Sequence, residues 1–491
     1  MIPKSFLVIL MSSLLLATVA APWAAPRVAQ AAPANTTVVV DDSSDSASCS
    51  GSTTLRCAIT FANANPFTNI RFAPGLAAVL LTGPLPTITG DGTWIDGHDI
   101  SNGCVCPRLD GAFWGDVTGN VLTINASYVT ISNIIVVNTP SGGADIAIIG
   151  GTHNDISSDD LGLRPGATQC PAFASTVGVE VVGDNTGSAG NYNGVAYIYG
   201  DTISCHGGSG VEVVSSNYVY VGTQRDGTTP SGNNIGTTSD GTGAAGNGYA
   251  GVRVANSDQV TIRSNLIAHN ANGGVTVDGT NVDVSFNTLS ANYWGLAIAG
   301  GMTDTIIGNT VGKSADGLSA LPNTHEGIFI SGGTGLFFSD NVVANNGGAG
   351  IAVIGNATQA LIENNNIANN GGLPIDLGDD GATPNGSKFP PGPNAWLPYP
   401  VVTAASGNLI QGTACPNCAV YIYRAIGNPA QPRGGGVFLS INTFANGSGQ
   451  WSATLPAGVT AADISLTAFN PAGDSSEMSP RPQMFLPLIE R

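Results

Sequence analysis

"VTIRSNLIAHNANGGVTV", residues 260–277, decides the fold. Its apolar residues alternate as they do in a strand, yet Asn265, His269, Asn270 and Asn272 crowd its middle. Such a cluster is either a catalytic group or the way the chain turns a corner, and recurrence separates the two. Ile262, Asn265 and Ile267 return 22 residues later as Val284, Asn287 and Leu289, and then as Ile306, Asn309 and Val311. After longer loops come Phe338, Asn341 and Val343, and then Ile362, Asn365 and Ile367. The second half of each unit reads Gly-apolar-any-apolar. It is "GVEV" from Gly178 and from Gly210, "GVRV" from Gly251, "GVTV" from Gly274, "GLAI" from Gly295, "GIFI" from Gly327 and "GIAV" from Gly350, closed by "PIDL" from Pro374.

A unit of two or three short strands cannot bury its apolar row alone, so the units must stack. Stacking in register at the ~4.8 Å strand spacing gives an all-β parallel solenoid whose interior is filled by alternate residues such as Val275 and Val277. Asn at the corner is expected to take left-handed backbone angles, and the stacked amides to bond along the solenoid. Gly before the strand is expected to allow a sharp re-entry.

Composition agrees. Gly and Pro make up about a fifth of the 491 residues, against a usual ~12%. Only 10% of residues are charged, yet 42% are hydrophobic, which excludes a disordered chain. The net charge of −18 argues against nucleic acid and anionic membranes as partners, and makes a strongly anionic polysaccharide an awkward ligand unless calcium bridges the two. One Lys followed by an apolar run from Phe6 to about Ala21 reads as a secretory signal peptide, with the cut expected at Ala29-Gln30-Ala31 and one near Ala24 or Ala25 as the alternative. No later segment approaches the ~20 apolar residues of a membrane span. The expectation is a secreted or cell-surface protein, monomeric, with residues 1–31 removed. Eight cysteines in such a chain suggest disulfides. Cys49 with Cys57 and Cys415 with Cys418 are the local pairs, while the connectivity of Cys104, Cys106, Cys170 and Cys205 stays open. "CPNC" at 415–418 lacks a second Cys pair or His to complete a zinc site, so a turn disulfide is favoured.

The repeat over about 120–385 resembles the right-handed parallel β-helix superfamily, the fold of pectate lyases, polygalacturonases and many surface proteins. "CSGSTTLRCAITFANAN" followed by "LPTITGDGTWIDG" resembles the Cys-Ser-Leu-Arg-Glu-Ala motif of a group of bacterial exported β-helix proteins, although Cys57 stands where Glu is usual. "PIDLGDDGATPNG", residues 374–386, resembles that group's closing segment, and "LTAFNPAGDSSEMS" resembles the last strand of the immunoglobulin-like sandwich that follows many such helices. The implied organisation is a cap over 32–119, a right-handed parallel β-helix over 120–386, a Pro-rich linker over 387–400, a small immunoglobulin-like β-sandwich over 401–482 and a tail over 483–491.

Within each "G-apolar-x-apolar" unit the x residue faces outward. Read coil by coil, the column is Glu180, Glu212, Arg253, Thr276, Ala297, Phe329, Ala352 and Asp376. If each glycine opens one coil, Glu180, Glu212 and Arg253 stand ~5 Å apart along one face. Two carboxylates at that distance suit a retaining glycosidase, with His206 as a neighbouring acid or base. The alternative is a surface charge ladder in which Arg253 pairs with Glu212. Asp155, Asp159 and Asp160, in "HNDISSDD", are the acids that a single Ca²⁺ would use, and no other cofactor is implied. The order Asp-Asp, "CHGG", "VRV" departs from polygalacturonases, because Asp155 and Asp159 are too close and Ala255 replaces the Lys. Lys occurs only at 4, 313 and 388, which weakens a lyase reading. Tyr192, Tyr218, Tyr220, Tyr249, Tyr293 and Trp294 fall in corners or loops, where their rings either pack the loops or stack on sugars. The expected function is a non-catalytic exported scaffold that displays a long face for adhesion or for binding an extracellular polysaccharide or cell-surface glycan. The alternative is a polysaccharide-active hydrolase, lyase or epimerase with its site on the same face.

Overall fold

Alternate Val, Ile and Leu side chains leave each short strand with one face that only another coil can cover. The computed structural model describes residues 36–99, 105–115, 117–171, 175–183, 196–426 and 435–481. It stacks these strands in parallel, in register, as a solenoid. Val252, Val275, Leu296, Ile328, Ile351 and Ile375 form one interior column. Ile262, Val284, Ile306, Phe338 and Ile362 form a second. Ile267, Leu289, Val311, Val343 and Ile367 form the third. All sixteen are essentially buried and meet in one core.

The corner asparagines do bond along the stack. Asn265 sends its backbone N–H and an amide N–H to Asn287 Oδ1, at 2.9 and 3.0 Å. Asn287 does the same to Asn309, Asn309 to Asn341 and Asn341 to Asn365. The left-handed angle, however, belongs to the preceding residue: Ser264, Phe286, Gly308, Asp340 and Asn364 all have φ between 56° and 67°. The ladder asparagines are therefore needed for their amides and not for their backbone tolerance. A second ladder of the same kind runs through Asn247, Asn270, Asn292 and Asn323, and on to Asn346 and Asn370. The glycines before the strands also have a different reason from a sharp turn. Gly251, Gly274, Gly295 and Gly327 lack a left-handed φ. A Cβ on each would instead stand 2.5 to 2.8 Å from the carbonyl oxygen of the next glycine in the column.

The stack is already under way in the segment set apart as a cap. Val38, Ile70, Ile95, Ile131 and Ile156 lead in register to Ile198, Val221 and Ile262. The helix Leu55–Ala64, N-capped by Thr54, packs Leu55, Ala58, Ile59 and Ala62 into the same core beside the first strands.

A small C-terminal domain closes the other end. Two antiparallel three-stranded layers, 401–406 with 409–413 and 450–454, and 419–425 with 435–444 and 464–469, enclose Ile410, Val420, Ile422, Trp451 and Leu466. The strand Gly435–Phe444 pairs antiparallel with Asn366–Ala368 of the solenoid. Residues 474–479 satisfy N–H groups of the last coils: Asp474 takes that of Gln359 at 2.8 Å, Ser475 that of Ile362 at 2.8 Å and Glu477 that of Leu377 at 3.3 Å. Covering an open sheet end in this way removes a template for strand addition.

Disulfides join Cys49 to Cys57, Cys170 to Cys205 and Cys415 to Cys418. Cys106 is disulfide-bonded too, whereas Cys104, the signal segment 1–31 and the tail 483–491 lie outside the described residues. No helix among the described residues is long and apolar enough to cross a membrane.

Candidate functional site

The outward x column forms as a register line. Glu180 pairs with Glu212, Glu212 with Arg253, Arg253 with Thr276, Thr276 with Ala297 and Ala297 with Phe329. Side-chain size along this line makes relief. Thr276 and Ala297 are short, while Arg253 on one side and Phe329 on the other stand up, so the two middle coils become the floor of a groove. The groove holds about 310 Å³ and is lined by Tyr249, Arg253, Thr276, Asp278, Trp294 and Phe329, among others. Arg253 and Phe329 are three coil steps apart, about 14 Å at the usual strand spacing.

A second line of residues, at the corner feeding these strands, walls one side. Backbone N–H groups of Asn272, Tyr293 and His325 bond in turn to the carbonyls of Tyr249, Asn272 and Tyr293, each at 2.9 Å. Tyr249 and Tyr293 are exposed, and Tyr293 stacks on His325 with centroids 3.9 Å apart. Trp294 lies parallel to Phe329, at 5.0 Å and 8°, and its indole N–H donates to Glu326 Oε2 at 2.8 Å. The indole is thus held by two independent contacts, which fixes the plane it presents.

Beyond Arg253 the line turns acidic. Arg253 Nη1 lies 3.6 Å from Glu212 Oε2, and Ser209 donates to Glu212 Oε1 at 2.8 Å. Burial and the neighbouring Glu212 push the Glu180 carboxyl up from the usual range. Of the proposed catalytic group, then, Glu180, Glu212 and Arg253 share a face. His206 does not reach it. Its side chain is wholly buried, with Nε2 3.0 Å from Asp145 Oδ2 and Nδ1 2.9 Å from Asn247 Oδ1. Its backbone N–H also bonds Asn247 Oδ1, so it occupies the first rung of the second ladder, inside the coil and away from the outward face.

The aromatic candidates divide between two places. Tyr249, Tyr293 and Trp294 meet at the groove. Tyr220 instead stacks on Tyr197, at 5.0 Å, in the strand Val219–Val221 on another side of the coil, with Tyr218 at the corner before it. Tyr192 lies outside the described residues. The three candidate metal ligands also separate. Asp155 pairs with Arg225 at 2.6 Å, Asp159 is buried in the corner ladder, and Asp160 lies in the next strand. Among the described residues no three His, Cys, Asp or Glu are arranged to hold a metal ion. Phe329, Asp278 and Glu326 belong to the site and were not singled out from the sequence. Phe329 had a visible signal, being the aromatic member of the outward column.

Residues 231–389 match the family model described as a right handed beta helix region. No curated protein matches the sequence. Among solved structures, the A-module of the mannuronan C-5 epimerase AlgE4 from Azotobacter vinelandii is similar at 13% identity. It covers 64% of this chain and 80% of its own, with a TM-score of 0.40. The periplasmic alginate epimerase AlgG shares 13% over 64% of this chain and 74% of its own, at 0.36. The Dettilon tailspike protein gp208 shares 12% over 85% and 77%, also at 0.36. Likeness at this level carries no argument about activity.

Proposed function

Taking the chain as a right-handed parallel β-helix protein, we propose that it is an exported, non-catalytic scaffold that holds an extracellular polysaccharide or cell-surface glycan in the groove between Arg253 and Phe329. The observation that carries this reading is the Trp294–Phe329 pair, two rings held parallel beside a floor of small residues. Pyranose rings offer C–H faces that stack on aromatic planes, and their hydroxyls suit the Arg253, Asn272 and Asp278 groups around the same groove. The Arg253–Glu212 pair offsets the positive charge at one end, which favours a ligand with little charge of its own. The test is a binding screen against bacterial, fungal and plant polysaccharides with the intact protein and Trp294→Ala. A ligand that loses about tenfold affinity, or 1.4 kcal/mol, in the variant supports the groove. Unchanged binding by a correctly folded variant sinks it.

One observation favours a catalytic second reading. Glu180, its carboxyl raised by burial and by the neighbouring Glu212, stands in register with Glu212, which Ser209 and Arg253 contact, and two carboxyl groups side by side on one face are the pairing that glycoside hydrolysis uses. Release of reducing or unsaturated ends from a screened polysaccharide, lost in Glu212→Gln, decides for this reading. Binding without turnover decides against it.

A further inference from the structure

The corner ladder is made of asparagine from Asn233 onward, but its first two members are aspartates. Asp201 N–H bonds Asn233 Oδ1 at 2.9 Å, Asp159 N–H bonds Asp201 Oδ1 at 2.9 Å, and Ile134 N–H bonds Asp159 Oδ1 at 2.9 Å. The Oδ1 atoms therefore do what every ladder amide oxygen does. The Oδ2 atoms stand where the asparagines carry Nδ2. In Asn233 that nitrogen gives one N–H to Asn265 Oδ1 at 2.9 Å and the other to the Ile198 carbonyl at 2.9 Å, so the position faces two oxygens. The Oδ2 atoms of Asp159 and Asp201 are buried and have no hydrogen-bond partner among the described residues. Both residues are almost fully buried, at 1% and 2% exposure. A bare carboxylate oxygen placed against two acceptors is repelled by both, whereas a protonated one makes the bond that the position requires.

We propose that Asp159 and Asp201 serve in the ladder as neutral carboxylic acids, each donating its proton to the next oxygen along the stack, so that these coils are held together by two protons and loosen when the protons are lost. The surroundings support the neutral forms. Burial raises the Asp159 carboxyl well above the ordinary range, and Asp201 and Asp160 add to the shift. Burial likewise raises Asp201, with Asp160 adding to it. The other titratable groups near the pair are Tyr199, itself raised chiefly by burial and then by Asp155, and the Asp155–Arg225 ion pair. Arg225 is spent on Asp155 and the His153 carbonyl, so its charge is engaged away from the pair. The sign follows from linkage. An acid whose folded-state value is raised contributes stability that is whole below its unfolded value near 4 and is lost as pH rises through the folded value. The coils that carry Glu180 and the strand before it thus tighten in acid and loosen in alkali, while the all-asparagine coils 260–311 have no such response in this ladder.

Two measurements on the full chain test this. The first is amide hydrogen exchange of residues 154–161 and 196–203 at pH 5 and pH 9, corrected for intrinsic rates and referenced to the same residues of the Asp159→Asn, Asp201→Asn double variant. The intact protein is expected to lose at least about tenfold protection in this segment relative to the reference, the ratio one pKa unit supplies, and Asp159→Asn with Asp201→Asn is expected to flatten the difference. The second is infrared spectroscopy at pH 7, where the neutral carboxyl carbonyl band of the intact protein should exceed that of the double variant by the absorbance of two carboxyl groups. A protection ratio that does not change with pH in the intact protein, or a carboxyl band undiminished in the double variant, overturns the proposal. The infrared comparison also covers the case in which the segment is too stable to open.

Discussion

Truncating Asn287 to alanine takes one rung out of the middle of the corner ladder, and the hydrogen bonds around it set the cost. Asn287 Oδ1 accepts the Asn265 backbone N–H at 2.9 Å and an Asn265 amide N–H at 3.0 Å. Its own amide donates to Asn309 Oδ1 at 3.1 Å and to the Ile262 carbonyl at 2.8 Å. In the alanine variant Asn309 Oδ1 keeps the Asn287 backbone N–H, but the buried Asn265 backbone N–H loses its acceptor, while the Asn265 amide keeps the Val221 and Arg263 carbonyls. At about 1–3 kcal/mol for the stranded N–H and roughly 1 kcal/mol for the lost amide bond, the loss is about 2–4 kcal/mol. Asn287 has no left-handed φ, so alanine adds no backbone penalty there. Asn281, a corner residue at φ 53°, provides the contrast, because its side-chain bonds to Asp258 and from Thr303 are exposed to water, so Asn281→Ala should cost chiefly the roughly 1–2 kcal/mol of a left-handed alanine. Stacked repeats open piecewise, so the assay is amide protection across residues 261–311 rather than a global midpoint. A loss below about 1 kcal/mol at the Asn265 amide would refute the view that the ladder amides hold the corner.

Burial raises the Asp304 carboxyl to about 7, although it accepts the Val282 N–H at 2.9 Å. Roughly 3 units above the ordinary value amounts to about 4 kcal/mol, present below pH ~4 and lost as pH rises through 7. Asp304→Asn keeps the acceptor and should remove that slope from a stability profile measured between pH 4 and 9, and an unchanged slope would contradict the assignment. Gly295→Ala places a Cβ 2.5 Å from the Gly327 carbonyl oxygen and should cost about 1–3 kcal/mol. Gly317→Ala, with nothing within 4 Å, should cost only its left-handed backbone, and equal losses of local amide protection at the two sites would refute the close-approach explanation. Ala297→Leu fills the groove floor from outside the core and should abolish glycan binding without changing the circular dichroism spectrum, whereas retained affinity would move the ligand elsewhere.

The interior of the stack was legible because burial on one face forces period two, and because a slip of one residue would turn every Val and Ile outward. The outward column was legible for the same reason, which is why Glu180, Glu212 and Arg253 meet despite the insertions between them. The reasons for the conserved-looking Gly and Asn within the repeat were not legible, since close approach and a shared amide depend on the neighbouring coil, which one unit of sequence does not contain. His206 did carry a signal. It lies four residues before Gly210, as Asn247 lies before Gly251 and Asn270 before Gly274, and that spacing marks a ladder rung rather than a catalytic base. Asp159 and Asp201 likewise stand two residues before Leu161 and Ile203, as Asn265 stands before Ile267. The division of the tyrosines was hidden, because a coil has several corners and the side that a Tyr faces depends on which of them it stands beside.

The groove lies where the repeat is interrupted, and the interruptions share a design. Residues 236–247 and 312–323 replace a tight corner with a hairpin, closed by the Thr237–Ala244 and Lys313–Ala320 bridges. Each has an Asp whose side chain accepts N–H or hydroxyl groups of its own turn, Asp240 and Asp316. Each then ends on an asparagine, Asn247 or Asn323, that enters the second ladder, so the hairpin leaves the stack without breaking it. The first hairpin feeds the coil of Arg253 and the second feeds the coil of Phe329, the two coils that bound the groove. Between them lie the two coils with short corners and small outward residues, Thr276 and Ala297. A ladder that accepts any insertion ending in asparagine lets the outer surface vary while the core keeps its register. Substitutions in the outward column and the corner hairpins therefore reshape the outer surface at little cost in stability, and the groove between two such hairpins is where the proposed ligand would be selected.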